Sequence, residues 1–591
     1  MKFLLQLLFH VTVVKSIGAD GNHDSSSSQA PKLPHRSDLK VKRALLESVY
    51  PEFSTFKGNM HAGLLPAVLI DDETSNSEDF SSYMFWLFQP DPDATVETFR
   101  GDTLVIWLNG GPGCSSFTGL LSENGPVTIP KFGPGIPAPN PASAEDAPLL
   151  ENPFAWTKKT AMIYVEQPGG TGFSTASSEW MGKEAEKRTE DDVADSFYAF
   201  FQNLYTVFGE ELAEKKIYVT GESYAGMYVP AIARGFYRGN KNLETKSSSS
   251  LHFIDIRGIA IGNGWIDVDT QGPSSIDFSW WHHMIDLPTR RVLHTKWDEC
   301  IKGMITDSSI EPFHSLTTPD ECGIMTAVME ASGSTFTYDV TTYDAYPAIV
   351  NEPGLTGTFF NNKDVQKALN VKKDYWLQCV PGSGRRRLQS NPYHRMRQLI
   401  LLDQDRRSVL PWIAELLDDA KIDVLVYNGD LDLACNSQGT ELALEAMDWS
   451  GKDQWRDPLN TKWYNWISGD QPAGHTKKYR NLDFLVVYNS GHFVPINQAE
   501  HALDMIGRLL DGKSFQDKEL PRFAAGGNNV AQLGKSSPAY SSSTVETYWS
   551  PMGLAGFFLG AAMMYVLKWF PKYRNGDARS GYEQVSSVQI H

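Results

Sequence analysis

The sequence predicts an α/β fold: a central, mostly parallel sheet flanked by helices, with an inserted, largely helical cap. Three observations carry this. First, seven short runs are almost continuously apolar and rich in β-branched or aromatic residues: Met84–Phe88, Thr103–Leu108, Met162–Val165, Ile217–Thr220, Ile259–Ile261, Val424–Tyr427 and Phe484–Tyr488. Strands covered on both faces read this way, whereas half-exposed strands alternate. Second, most of these runs end in turns rich in Gly, Asn or Pro (NGGPG, EQPGG, GES, GNG, NGD, NSGH), and helical stretches such as Asp191–Tyr205 and Tyr224–Phe236 lie between them. That alternation builds parallel sheets. Third, residues from about 265 to 400 lose the strand rhythm and carry polar insertions, as expected of a cap over the sheet's working edge.

Composition bounds the rest. The chain has 591 residues, 41% hydrophobic and 21% charged, enough apolar material for a large core. The formal net charge of −18 argues against nucleic acid as a partner. Residues 1–19, with Lys2 ahead of an apolar run and small residues after it, read as a signal peptide, and 20–48 as a polar linker or pro-segment. The body is then 49–524. Gly, Ser and Asn make 525–546 a flexible stalk, and 547–567 hold 21 residues without a charge. That length spans a bilayer, with Tyr548, Trp549, Tyr565 and Trp569 at the borders. Lys568, Lys572 and Arg574 follow, so 568–591 is expected in the cytoplasm and the body in the lumen of the secretory pathway. The five cysteines allow at most two disulfides and leave one thiol over. Oligomeric state is not legible. Gly384-Arg385-Arg386-Arg387 reads as an exposed basic loop.

The chemical candidates sit in the turns that follow strands, where such sheets place active groups. Gly221-Glu222-Ser223-Tyr224-Ala225 joins a strand to a helix through a sharp turn, which lifts a serine hydroxyl above the sheet and aims a helix N-terminus at it. Asp432 follows the strand at Val424–Tyr427, with Asp430 as a rival, and His492 follows Phe484–Tyr488. The order Ser, Asp, His suits a nucleophile, an orienting acid and a general base. Asn109-Gly110-Gly111-Pro112-Gly113 offers backbone N–H groups to a developing oxyanion, with Tyr224 as second donor. A glycine-rich loop also suits phosphate, but this one lacks the lysine of a phosphate loop. No metal or other cofactor is called for.

WLNGGPGCSS, ENP with Trp156, EQPGGTGFS, GESYAGMYVP, NGDLDLACN and GHFVP, in this order, resemble the serine carboxypeptidase family of α/β-hydrolases, over roughly residues 50–515. The resemblance implies removal of single amino acids from the C-termini of peptides and proteins, usually best at acidic pH. It implies a Ser223–His492–Asp432 triad, an oxyanion hole at Gly111 and Tyr224, and a substrate-carboxylate site at Asn109, Glu123 and Glu222. It also implies bridges Cys114–Cys379 and Cys300–Cys322, leaving Cys435 as a free thiol near the site. The membrane-anchored layout resembles the fungal prohormone-processing subclass, which trims C-terminal Lys and Arg. That subclass typically carries an acid where this chain has Thr118, so a broad or apolar preference is the first expectation and basic-residue trimming the alternative. An acyltransferase on the same scaffold is a further alternative.

Overall fold

In the computed structural model the described residues are 32–70, 79–91, 99–129, 149–180, 188–245, 250–305, 322–333, 335–342, 354–373, 375–380 and 408–519. The expected signal peptide, the stalk, the span at 547–567, the tail and the Arg385–Arg387 loop lie outside them. No helix among the described residues is long and apolar enough to cross a membrane.

Eleven strands form one sheet. In chain order these are β1 (Gly58–Pro66), β2 (Ser82–Pro90), β3 (Arg100–Leu108), β6 (Thr160–Glu166), β7 (Lys216–Glu222), β8 (Ile256–Gly262), β9 (Asp423–Gly429), β10 (Trp463–Ser468), β11 (Gln471–Tyr479), β12 (Leu482–Val487) and β13 (Lys518–Glu519); β4 (Val127–Thr128) and β5 (Leu150–Glu151) pair as a separate ribbon. The order across the sheet is β1-β2-β6-β3-β7-β8-β9-β12-β11-β10-β13. The six central strands, β6 to β12 in that order, run parallel, and both flanks are antiparallel. Each of the seven sequence-predicted strands lies in this sheet. The flanking strands β1, β10 and β11 are not legible, because glycines and polar residues interrupt the apolar run that marks a covered parallel strand.

Two cores sandwich the sheet, and strand alternation assigns residues to them. Ile217 and Val219 of β7, with Val424 and Val426 of β9, face the core filled by the helices Glu190–Phe208 and Ala225–Thr245. Tyr218, Leu425 and Tyr427 face the other core, with Trp107, Leu120 and Tyr164. The Glu190–Phe208 helix begins at Thr189, whose side chain and that of Asp192 cap each other's backbone N–H.

Cap residues that are described lie mainly in the helices Val268–Trp281, Leu287–Ile305, Ile324–Ala331, Gly354–Asn361 and Lys363–Ala368. Of the segment expected as a polar linker or pro-segment, 20–48, residues 32–48 are described and pack against the body. Arg36–Leu39 forms a short 3-10 turn and Arg43–Val49 a helix, with Leu39, Val41 and Leu46 buried. The Val41 N–H donates to the Met60 carbonyl of β1 at 3.0 Å. Three apolar side chains spaced along a polar segment were enough to dock it.

Candidate active site

The carboxyl ends of the central strands converge on one edge, and the candidate residues occupy the turns that leave them. β7 ends at Glu222, and Ser223 follows with φ +65°, a left-handed conformation that is strained for a residue with a side chain. The surroundings enforce it. The Ser223 N–H donates to the Gly262 carbonyl at 3.0 Å, and the Ser223 carbonyl accepts from the N–H groups of Gly226 and Trp265 at 2.9 and 3.0 Å. A helix starts at Ala225, so its positive end faces the turn.

Asp432 and His492 are brought together: the imidazole Nδ1 lies 2.8 Å from Asp432 Oδ2, and both residues are buried. The Asp432 carboxylate also accepts from the N–H groups of Ala434 (2.9 Å) and Cys435 (3.2 Å) and from Asn263 Nδ2 (2.9 Å). Burial of a carboxyl group is tolerated where its oxygens are matched by donors in this way. Asp430, the rival, instead accepts from the Ser490 N–H at 3.1 Å.

The loop after β3 presses against the serine turn. A Cβ on Gly110 would lie 2.3 Å from the Tyr224 nitrogen, so only glycine lets the two backbones approach. Gly111 follows with φ +117°. The far side of the loop is fixed to the cap: Cys114 is bonded to Cys379, the Ser115 N–H donates to the Gln378 carbonyl at 2.7 Å, and the Val380 N–H donates to that of Gly113 at 2.9 Å. Ser115 Oγ also donates to buried Glu166, which accepts from Trp376 Nε1 and the Phe173 N–H. A second disulfide, Cys300–Cys322, lies within the cap, and Cys435 is a buried free thiol.

Glu123 sits on a π-helical turn, Leu120–Asn124, that buries it, and Glu222 is equally enclosed. Asn109 Nδ2 donates to Glu222 Oε1 at 2.8 Å and approaches Glu123 Oε1 at 3.4 Å. Its own amide orientation is fixed, because Oδ1 accepts from Trp107 Nε1 (2.9 Å) and the Gly119 N–H (3.1 Å). Burial pushes the Glu123 carboxyl up to about 7, and burial together with the facing Glu123 holds Glu222 well above the carboxylate range. Two such groups share one proton.

Sequence reasoning passed over four residues here. Asn263, in the GNG turn, bridges Asp432 Oδ2 and the Gly429 N–H (3.1 Å), and only its position at a strand end hinted at this. Tyr338 of the cap stacks on the His492 ring at 4.4 Å and 23°, and its carbonyl accepts the His492 N–H at 2.7 Å. Glu190, at the start of a helix, accepts from the Tyr224 hydroxyl at 2.7 Å. Glu166 lay within a quoted motif but had no role. Asp432, Cys435 and His492 carry ligand atoms within 4.8 Å of one another, a set able to hold a soft metal ion only if the Asp432–His492 bond were given up.

Residues 51–512 match the family model described as "Serine carboxypeptidase". The pheromone-processing carboxypeptidase KEX1 of Zygosaccharomyces rouxii is 30% identical over 521 residues, covering 82% of this chain and 66% of that protein. Its Saccharomyces cerevisiae counterpart is 29% identical over 498 residues, covering 79% of this chain and 62% of that protein. The chain thus spans just under two thirds of the length of these relatives. The crystal structure of the S. cerevisiae prohormone-processing carboxypeptidase KEX1(delta)p superposes with a TM-score of 0.64 at 26% identity, covering 83% of this chain and 99% of that one. With its sheet and the match across its body, the chain belongs to the serine carboxypeptidase family.

Proposed function

We propose that this protein is a serine-type carboxypeptidase that hydrolyses the last peptide bond of peptides and proteins through an acyl-enzyme. The observation that carries the reading is the buried Asn109–Glu222–Glu123 cluster beside the Ser223 turn. An endopeptidase or esterase has no use for a proton-sharing carboxyl pair at that place, whereas a free C-terminal carboxylate needs donors there.

In this reading Ser223 Oγ attacks the scissile carbonyl carbon, and His492 takes the hydroxyl proton while Asp432 stabilises the imidazolium. The N–H groups of Gly111 and Tyr224 receive the oxyanion. The tetrahedral intermediate expels the amine of the terminal residue, protonated by His492. Water then enters, gives a proton to His492 and attacks the ester carbon; the bond to Ser223 Oγ breaks, and Oγ takes the proton back from His492. Asn109 and the proton held between Glu123 and Glu222 hydrogen-bond the substrate carboxylate. Once rising pH removes that proton, a step that burial and the facing carboxylate hold above the ordinary carboxylate range, a dianionic pair repels the carboxylate. Exopeptidase specificity and a preference for acidic pH follow from one cause.

Side-chain preference is read as broad or apolar, since Thr118, buried beside this cluster, offers no charge to a cationic residue. Prohormone processing with removal of C-terminal Lys or Arg is the second reading, favoured by the likeness to the KEX1 proteins. Two disulfides suit an oxidising lumen, and 547–567 is read as a single-pass anchor.

Ser223→Ala is expected to lower turnover of a peptide by several orders of magnitude with an unchanged melting temperature; near-normal turnover in the purified variant would refute the nucleophile. For the native enzyme, KM for a peptide should climb steeply between acidic and neutral pH, while KM for the matching peptide amide stays nearly flat. Replacing both Glu123 and Glu222 by Gln should raise KM at acid pH by about one to two decades and flatten the climb. Thr118→Asp should increase kcat/KM for C-terminal Lys or Arg over Leu by roughly tenfold or more, read from a competition between two peptides. Ending the chain at residue 546 should release an active enzyme into the medium, and carbonate-resistant membrane association of that truncation would rule out the anchor.

A further inference from the structure

Tyr427 has no part in the triad, the oxyanion loop or the Asn109 amide, yet its ring underlies the carboxyl pair. β7, β8 and β9 are parallel and in register, so Glu222, Gly262 and Tyr427 stand in one row across three strands. The middle position has no side chain. A Cβ there would lie 2.4 Å from Tyr427 Cζ and 2.5 Å from its hydroxyl oxygen. The phenol therefore leans across β8, over bare backbone, toward Glu222. Tyr427 is 1% exposed, and its hydroxyl has no hydrogen-bond partner among the described residues. The same is true of Glu222 Oε2 and Glu123 Oε2. The two carboxyls pair with each other through their shared proton, but a pair holding one proton keeps lone pairs to spare, and the Tyr427 hydroxyl is a buried donor without a partner on the same row.

Of the other groups around the pair, the Thr118 hydroxyl and Asn124 Nδ2 are likewise buried without a hydrogen-bond partner among the described residues but belong to the Phe117–Asn124 turn, and the rest are engaged or act through charge. Asn109, from the loop after β3, bonds both glutamates. The Tyr164 hydroxyl on β6 donates to Asn124 Oδ1 at 2.9 Å. His492, beyond β12, favours ionisation of Glu123, and Asp432, beyond β9, opposes that of Glu222. Burial, and after it the charges of Glu222 and Glu123, hold the Tyr427 hydroxyl well above the phenol range, so it keeps its proton wherever the pair titrates.

We propose that Tyr427 is a positioning residue whose O–H donates to the ionised member of the Glu123–Glu222 pair and sets the pH at which the pair gives up the proton that a substrate carboxylate requires. The inference rests on the reading of that pair as the carboxylate site. A donor that bonds the ionised form favours it, so Tyr427 lowers the pH of this loss, and Gly262 is the gap that admits it.

The test is KM against pH for one N-blocked peptide and its C-terminal amide, using the full chain as native protein, Tyr427→Phe and Gly262→Ala. Tyr427→Phe removes one oxygen and keeps the ring. Its rise in peptide KM should move to higher pH by about half to one unit, so that KM about one unit above the native midpoint falls roughly two- to fivefold. The pH dependence of the amide should stay where the native enzyme has it. Gly262→Ala displaces the phenol and should shift the peptide profile in the same direction; should that variant not fold, Tyr427→Phe decides alone. Coincident native and Tyr427→Phe profiles, or equal shifts for peptide and amide, would overturn the proposal. Failure of the underlying reading looks different: the native enzyme itself would show no divergence between peptide and amide.

Discussion

Everything at the active edge depends on the register of four parallel strand pairings. Leu108 pairs with Gly221, Glu222 with Gly262, Gly262 with Tyr427, and Gly429 with Val487. This ladder brings the loop after β3, the serine turn, the Asn263 turn, the Asp432 loop and the His492 loop out at one level. A slip of one residue in any strand would turn its side chains to the opposite face and move its loop by about 3.3 Å. Such a displacement exceeds what a 2.8 Å hydrogen bond between Asp432 and His492 tolerates. The two cores on either face, with their different side chains, hold the register.

On that frame the molecule handles buried acids in two ways. Asp432 is surrounded by donors from Ala434, Cys435, Asn263 and His492, so its charge is matched on all sides. Glu123 and Glu222 face each other with Asn109 as their hydrogen-bonding partner, so their charge is opposed. Within one pocket, one carboxyl is ringed by donors and two face each other, held above the ordinary carboxylate range. The difference comes from neighbours rather than from the residue type.

Much of this was legible in the sequence because the relevant signals are local. A covered parallel strand such as Leu104–Leu108 is a plain apolar run, and a strand-turn-helix serine is a contiguous motif. The Glu123–Glu222 pairing was reached only through resemblance, since 99 positions separate the two and nothing in either neighbourhood marks burial. Tyr338 could not be found at all: it lies in a polar cap segment without periodicity, and its importance arises from stacking on His492 across 154 positions. The docking of Arg43–Val49 escaped for a related reason, as one buried Leu46 in a charged helix is too little to see. Long-range partnership is what the linear signal lacks.

The tether between Cys114 and Cys379 makes the loop after β3 sensitive to the redox state of its surroundings. It joins points 265 positions apart, and it anchors the loop that meets the Tyr224 nitrogen. Reduction would open the covalent tie and leave this loop to the backbone hydrogen bonds Ser115–Gln378 and Val380–Gly113, while the Asp432–His492 pair, carried by other loops, keeps its own contacts.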